Sequence, residues 1–190
     1  GRKILISGNG RCNLTNLQAD ELHHYHGANP PFLRTVLGAF PLEKTLAFFA
    51  DLGLVLHEEK RGRLFPQSNQ AQSVVDVLED RMRVLGIEVV FGAQADLLEP
   101  LAEGFNLSFS GAKKYRAGRV VLASGGVSLP KLGADRSGMD LAVGCGHETT
   151  GLKPGLVALE SDERYVAHLQ GVKVWAEVEA LLPDRKTAID

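Results

Sequence analysis

The stretch GRKILISGNGRCNLTN, residues 1–16, decides how the rest of the chain is read. Residues 3–6 form a short apolar run of strand type. Ser7-Gly8-Asn9-Gly10 then places two glycines within three residues, so the backbone can turn sharply and lie close to a ligand. Past the turn, Arg11, Cys12, Asn13, Thr15 and Asn16 bring many hydrogen-bond donors together. Arg2 and Lys3 stand on the other side, and no acidic residue appears before Asp20. Such a set suits an anion, a phosphate for example, or an electron-rich ring.

Outward from this loop, the bulk numbers describe a globular chain. With 190 residues, 44% hydrophobic and 23% charged, it can bury one substantial core, or one domain and part of another. No run is long enough for a membrane span or a signal peptide, so a cytoplasmic protein is expected. The formal net charge is −2, and the basic residues are scattered apart from Lys60-Arg61-Arg63 and Lys113-Lys114-Arg116. No nucleic-acid or membrane footprint stands out. Cys12 and Cys145 form neither a disulfide framework nor a metal-ligand spacing, which fits a reducing compartment.

In chain order, Asn29-Pro30-Pro31 argues against a regular helix in the irregular text of residues 17–39. Residues 42–52 place Leu42, Leu46, Phe49 and Ala50 on one helical face, and Gly53 ends that helix. Residues 54–57 and 64–66 read as paired strands around the charged turn 58–63. Ser68 or Asn69 then caps a helix over 70–85, whose stripe of Val74, Val75, Leu78, Met82 and Leu85 is core. Residues 87–91 are strand-length. Residues 95–98, 105–109 and 114–117 alternate between tight turns and predict a three-stranded meander. Residues 119–123, RVVLA, are almost wholly apolar, as expected of a parallel strand covered on both faces. They run into Ser124-Gly125-Gly126, where a side chain would hold the backbone away from a ligand. A helix over 139–145 begins at Ser137 or Gly138 and closes at Gly146. Beyond Lys153 the pattern turns to strands, at 156–159 and 171–181, with a helical turn or two between.

Four of these stretches together resemble the YhiN/BaiN-like FAD-dependent oxidoreductases, the family of aminoacetone oxidase. They are the opening loop, EEKRGRLFPQSNQAQSVVDVL, LASGG, and SLPKLGADRSGMDLAVGCGHETTGLKPGLVAL. The last departs from the family string: Leu129 replaces an aromatic, Leu132 a Thr, and Asp135-Arg136-Ser137 stands where a Thr-Gly-Asp is usual. The resemblance implies an α/β fold. It would be part of a Rossmann-like FAD-binding domain (a parallel sheet, helices and the meander) over residues 1–152, followed by the start of an inserted β domain over 153–190. Members are about twice this length and carry a GxGxxG unit upstream, so the chain is expected to be a fragment, catalytically incomplete by itself.

The implied activity is hydride transfer through FAD to or from a small organic molecule, with NAD(P)H a candidate electron donor. The implied cofactor-binding residues are Arg2, Lys3, Ser7, Gly8, Gly10, Arg11, Cys12, Asn13, Thr15 and Asn16, the backbone near Ala95, and Ser124, Gly125 and Gly126. No catalytic side chain is named, no metal is expected, and substrate and oligomeric state stay open. Cys12 reads as a packing residue sooner than a redox thiol. His147 reads as a polar cap sooner than a general base. Two other classes are kept open: a nucleotide- or partner-binding module without redox activity, and a metal-dependent hydrolase built on His23, His24 and His26.

Overall fold

The computed structural model describes residues 1–26, 29–110, 114–155, 161–169, 171–172, 178–182 and 185–189. The chain divides into two compact units, Gly1–Thr149 and Thr150–Asp190.

The first unit is built on strand β3 (Arg63–Pro66) and helix α4 (Ala71–Val84). Phe65 is 1% exposed, and Pro66, Ala71, Val74 and Val75 are buried with it. The helical periodicity of α4 sends Val74 and Val75 inward, whereas Leu85, beyond its last turn, is 57% exposed. Ser68 Oγ accepts from the Gln70 N–H at 3.3 Å and shares a hydrogen bond with Ser73 Oγ at 2.7 Å, which ties down the start of the helix. At its end, Gly86 adopts φ 66°. The Gly86 N–H then reaches Arg83 O and the Ile87 N–H reaches Met82 O, which satisfies carbonyls the helix leaves open.

Strand β2 (Leu56–Glu59) pairs antiparallel with β3, His57 opposite Phe65 and Glu59 opposite Arg63. The two-residue strand β1 (Thr15–Asn16) pairs on the other side of β3. The long helix stands where the sequence puts it, and the hairpin forms as expected, but its first strand lies two residues later, so that Glu58 and Glu59 belong to β2 and only residues 60–62 make the turn.

Two expectations about the N-terminal third are overturned. Residues 3–6 are not a strand but part of helix α1 (Arg2–Ile6), packed against α4. A four-residue apolar run fits either state, and contact with α4 decides it: Val75 lies so near Gly1 that a Cβ there would come within 3.1 Å of it. Pro30 and Pro31 do not exclude a helix but open one, α2 (Pro30–Ala39). In the first turn no N–H donor is required, and Asn29 Oδ1 accepts from the Phe32 N–H as the cap. Helix α3 (Leu42–Asp51) follows, its Leu42 N–H held by the Asp20 carboxylate at 2.9 and 3.0 Å.

Strands β4 (Ala95–Pro100), β5 (Phe105–Phe109) and β6 (Lys114–Ala117) form the expected meander, in that order and antiparallel. Helix α5 (Ser137–Gly144) packs on β4. Among the described residues the expected parallel sheet is not formed, and every ladder is antiparallel. Residues 87–91 and 119–123 join no ladder, and Phe91 and Val121 stand 85% and 87% exposed. A parallel strand needs a neighbour on the sheet, and among the described residues neither run has one.

The second unit has a 3₁₀ turn at Arg164–Leu169 and an antiparallel hairpin of β7 (Val178–Leu182) and β8 (Arg185–Ile189). The strand expected at 156–159, and residues 173–177 of the one expected at 171–181, lie outside the described residues.

In the intact protein, Phe65→Ala should lower the unfolding free energy by about 3–5 kcal/mol. Leu85→Ala should change it by less than about 0.5 kcal/mol. Urea denaturation of the two variants beside the parent checks the pair.

Candidate functional site

The loop after α1 is held in an unusual backbone path. Gly8, Asn9, Gly10 and Cys12 all adopt positive φ, at 55°, 57°, 81° and 62°. Gly8 is required by space as well as by angle, since a Cβ there would come within 2.6 Å of the Asn13 nitrogen and 2.9 Å of the Phe65 ring. The Cys12 N–H closes the turn on Ser7 O at 2.9 Å. Ser7 Oγ donates back to Ile4 O at 2.8 Å, ending α1. The Cys12 side chain is buried with Leu54, Ala71 and Val74, the packing place expected for it.

Arg11 leaves this loop toward the face of the hairpin that carries Phe65. Its Nη1 donates to Glu59 Oε1 at 2.5 Å and its Nη2 to Oε2 at 3.4 Å. The guanidinium lies 4.3 Å from the centre of the Phe65 ring. Because side chains alternate along a strand, His57, Glu59, Arg63 and Phe65 share one face of the hairpin. Arg63 Nη2 lies 3.6 Å and His57 Nε2 3.8 Å from the Glu59 carboxylate. The His57 ring stacks on Phe65, and its buried Nδ1 has no hydrogen-bond partner. The hydrogen bond from Arg11 above all holds the Glu59 carboxyl below the usual glutamate range; burial opposes it, and the charges of Arg11, Arg63 and His57 add to the lowering.

Two pockets collect residues singled out from the sequence. The first, about 400 Å³, is lined by Asn13, Thr15, Asn16, Gln18, Ala19, His24 and Tyr25. Its wall is braced: Asn16 Nδ2 donates to Arg61 O at 2.8 Å, and Asn16 Oδ1 accepts from the Gln18 N–H at 2.9 Å. The second, about 320 Å³, lies between β4 and α5 and brings Ala95 and Ser124 together with residues 120–123, Ser137, Gly138 and Leu141. Ser124 sits so close to Gly138 that any Cβ there would overlap its Oγ.

The two basic residues of α1 reach across to the second glycine segment. Lys3 Nζ donates to Gly126 O at 3.3 Å, and Arg2 Nη1 to Leu132 O at 3.5 Å. Lys3, Gly125 and Gly126 thus meet, although more than 120 positions separate them in the chain. Arg2, Lys3, Ser7, Gly8, Gly10, Arg11, Cys12, Gly125 and Gly126 line neither of the two pockets. The substituted segment 135–137 starts α5: the Asp135 carboxylate accepts from Ser137, which holds its pKa below the ordinary range.

His24, Gly138, Glu59 and Phe65 were not singled out for the site by sequence. His24 carried a signal, its place in the histidine cluster, but Gly138 read only as a helix start. Glu21, His23 and His24 share one exposed turn, each imidazole Nε2 within 3.7 Å of the Glu21 carboxylate. His147 is exposed, and its N–H closes the end of α5 on Ala142 O.

The HI0933-like protein Rossmann domain matches residues 1–175. The chain belongs to the HI0933-like family, and the membership read from its four motifs is borne out. Over 190 residues it is 40% identical to the 3-dehydro-bile acid delta(4,6)-reductase of Clostridium scindens, covering all of this chain and 46% of that protein. It is 33% identical over 172 residues to the ribosomal RNA dihydrouridine synthase of Escherichia coli, covering 90% and 42% of the two chains. Its identity to the Haemophilus influenzae protein of the same name is 26% over 186 residues, covering 95% and 46%. The chain spans about half the length of these curated relatives. Among the described residues, no helix is long and apolar enough to cross a membrane.

Gly138→Ala should cost about 1–3 kcal/mol of stability by overpacking Ser124, whereas Gly144→Ala, with open space at its Cβ, should cost nothing and gain up to about 1 kcal/mol. Thermal melts of both variants give the two signs. Because the folded-state pKa of Glu59 is depressed, its contribution to stability is present above the ordinary glutamate range and lost as pH falls through the depressed value. Urea midpoints measured against pH should therefore fall less steeply at the acid end in Glu59→Gln than in the parent.

Proposed function

We propose that this chain is part of the FAD-binding region of an oxidoreductase that acts on a small organic molecule. One observation carries the reading: Lys3, beside the first glycine loop, donates to Gly126 in the second, while Ala95 and Ser124 share a pocket. Segments that the sequence marked separately for one cofactor are thereby neighbours.

The residues present fit a dinucleotide. Backbone without side chains is offered at Gly125 and Gly126, and positive charge stands beside it at Lys3, with Arg2 further along at Leu132. In this reading Lys3 and the 124–126 turn hold the diphosphate and ribose portion. Asn13, Thr15 and Asn16 present amide and hydroxyl groups to the cofactor's edge from the first pocket. The backbone at Ala95 borders the adenine. Bound FAD would supply hydride transfer, and the protein's part is to orient it, complement its charge and shield it from water. NAD(P)H is the electron donor in this reading, and the reaction takes place in the cytoplasm.

The substrate class follows the similarity: 40% identity along the whole chain to a protein named a bile acid reductase, against 33% and 26% to proteins named for ribosomal RNA. The net charge of −2 agrees, since an RNA-binding surface is expected to be basic.

The visible absorption spectrum of the purified intact protein, with released cofactor identified, tests the reading. FAD in near-stoichiometric amount, bleached anaerobically by NADH or NADPH, is the expected result. A colourless protein that takes up no added FAD would overturn it.

A further inference from the structure

We infer that Glu59 is a positioning residue for the glycine loop: through Arg11 and the Phe65 ring it holds residues 7–12 in the one conformation that sets Asn13 at the wall of the first pocket, where the cofactor would be met. The ligand in this statement rests on the flavin reading above; the mechanics do not.

A loop with four positive φ values, two of them at the non-glycine residues Asn9 and Cys12, keeps that path only where its surroundings determine it. Three anchors do so. The Phe65 ring closes the space under Gly8. The Cys12 side chain is fixed in the core. Between them, Arg11 is clamped by both Glu59 oxygens and laid over the Phe65 ring.

Glu59 is able to act as the fixed end. Its backbone is paired to Arg63 in the hairpin, and its carboxylate is faced by Arg11, Arg63 and His57. A partly exposed ion pair adds little to global stability, but a two-pronged guanidinium–carboxylate contact sets direction. The effect should therefore be on loop geometry and on what the loop binds. Asn13 follows directly and lines the first pocket, so a shift at Arg11 and Cys12 is passed to it.

An opposite role for Arg11, gripping an anionic ligand itself, makes the reverse prediction. Removing the Glu59 charge would then free the guanidinium and tighten binding.

The test is hydrogen exchange by mass spectrometry on the intact protein and its Glu59→Gln, Arg11→Gln and double variants, with FAD titrated into each. Each single variant should raise exchange in the peptide covering residues 7–13 about three- to tenfold. Exchange in the β4–β5 hairpin should stay unchanged, and the double variant should add nothing further. FAD affinity should fall by a similar factor. Unchanged loop exchange, a rise spread equally over the hairpin, additive single effects, or tighter FAD binding in Glu59→Gln would each overturn the inference. If the parent takes up no FAD the flavin reading fails, while the exchange comparison still decides whether Glu59 holds the loop.

Discussion

The ring of Phe65 is where the first unit's parts meet. One part of it closes against Gly8, the guanidinium of Arg11 lies over it, and His57 stacks beside it. Burial of this ring is a packing matter, worth several kcal/mol in a side chain of this size. It also fixes the loop in space, because a loop with so many left-handed residues has no helix or strand ladder to hold it. Core and site are therefore not separate here: a fully buried core side chain also floors the loop.

From that floor the geometry propagates two ways. Toward the sheet, the loop leads into β1, and Asn13, Thr15 and Asn16 come to line a pocket braced by the turn at residues 60–62. Toward the helix, α1 rests on α4 and so presents Arg2 and Lys3 to the segment around Gly126 and Leu132. The basic residues thus do their work at a distance from the loop they precede, reaching backbone carbonyls of a remote glycine segment.

Much of this was legible in the residues themselves. The stripe of α4 as far as Val74 and Val75, the hairpin to within two residues and the meander are local patterns with the period of their element, and they formed close to where the pattern lies. The chain's short ambiguous pieces were not legible. The run before Ser7 became a helix because Val75 packs against its start, and Pro30-Pro31 opened a helix because the first turn asks for no donors. The two strand-like runs at 87–91 and 119–123 show the limit in the other direction, since apolar composition describes a strand's surroundings and not its partners. At the site, the glycine motifs were readable as such, but the Arg11–Glu59 pair joins residues 48 positions apart and no local pattern announces it. Nor does Gly138 carry a signal of its closeness to Ser124.

Whether the two glycine segments, far apart in sequence, form one FAD site is decided by a crystal structure of the intact protein with FAD. Cofactor density should run along the backbone of residues 124–126, beside Lys3, and reach the pocket lined by Asn13, Thr15 and Asn16. Cofactor bound away from both segments, or touching one while the other lies remote from it, would contradict the account.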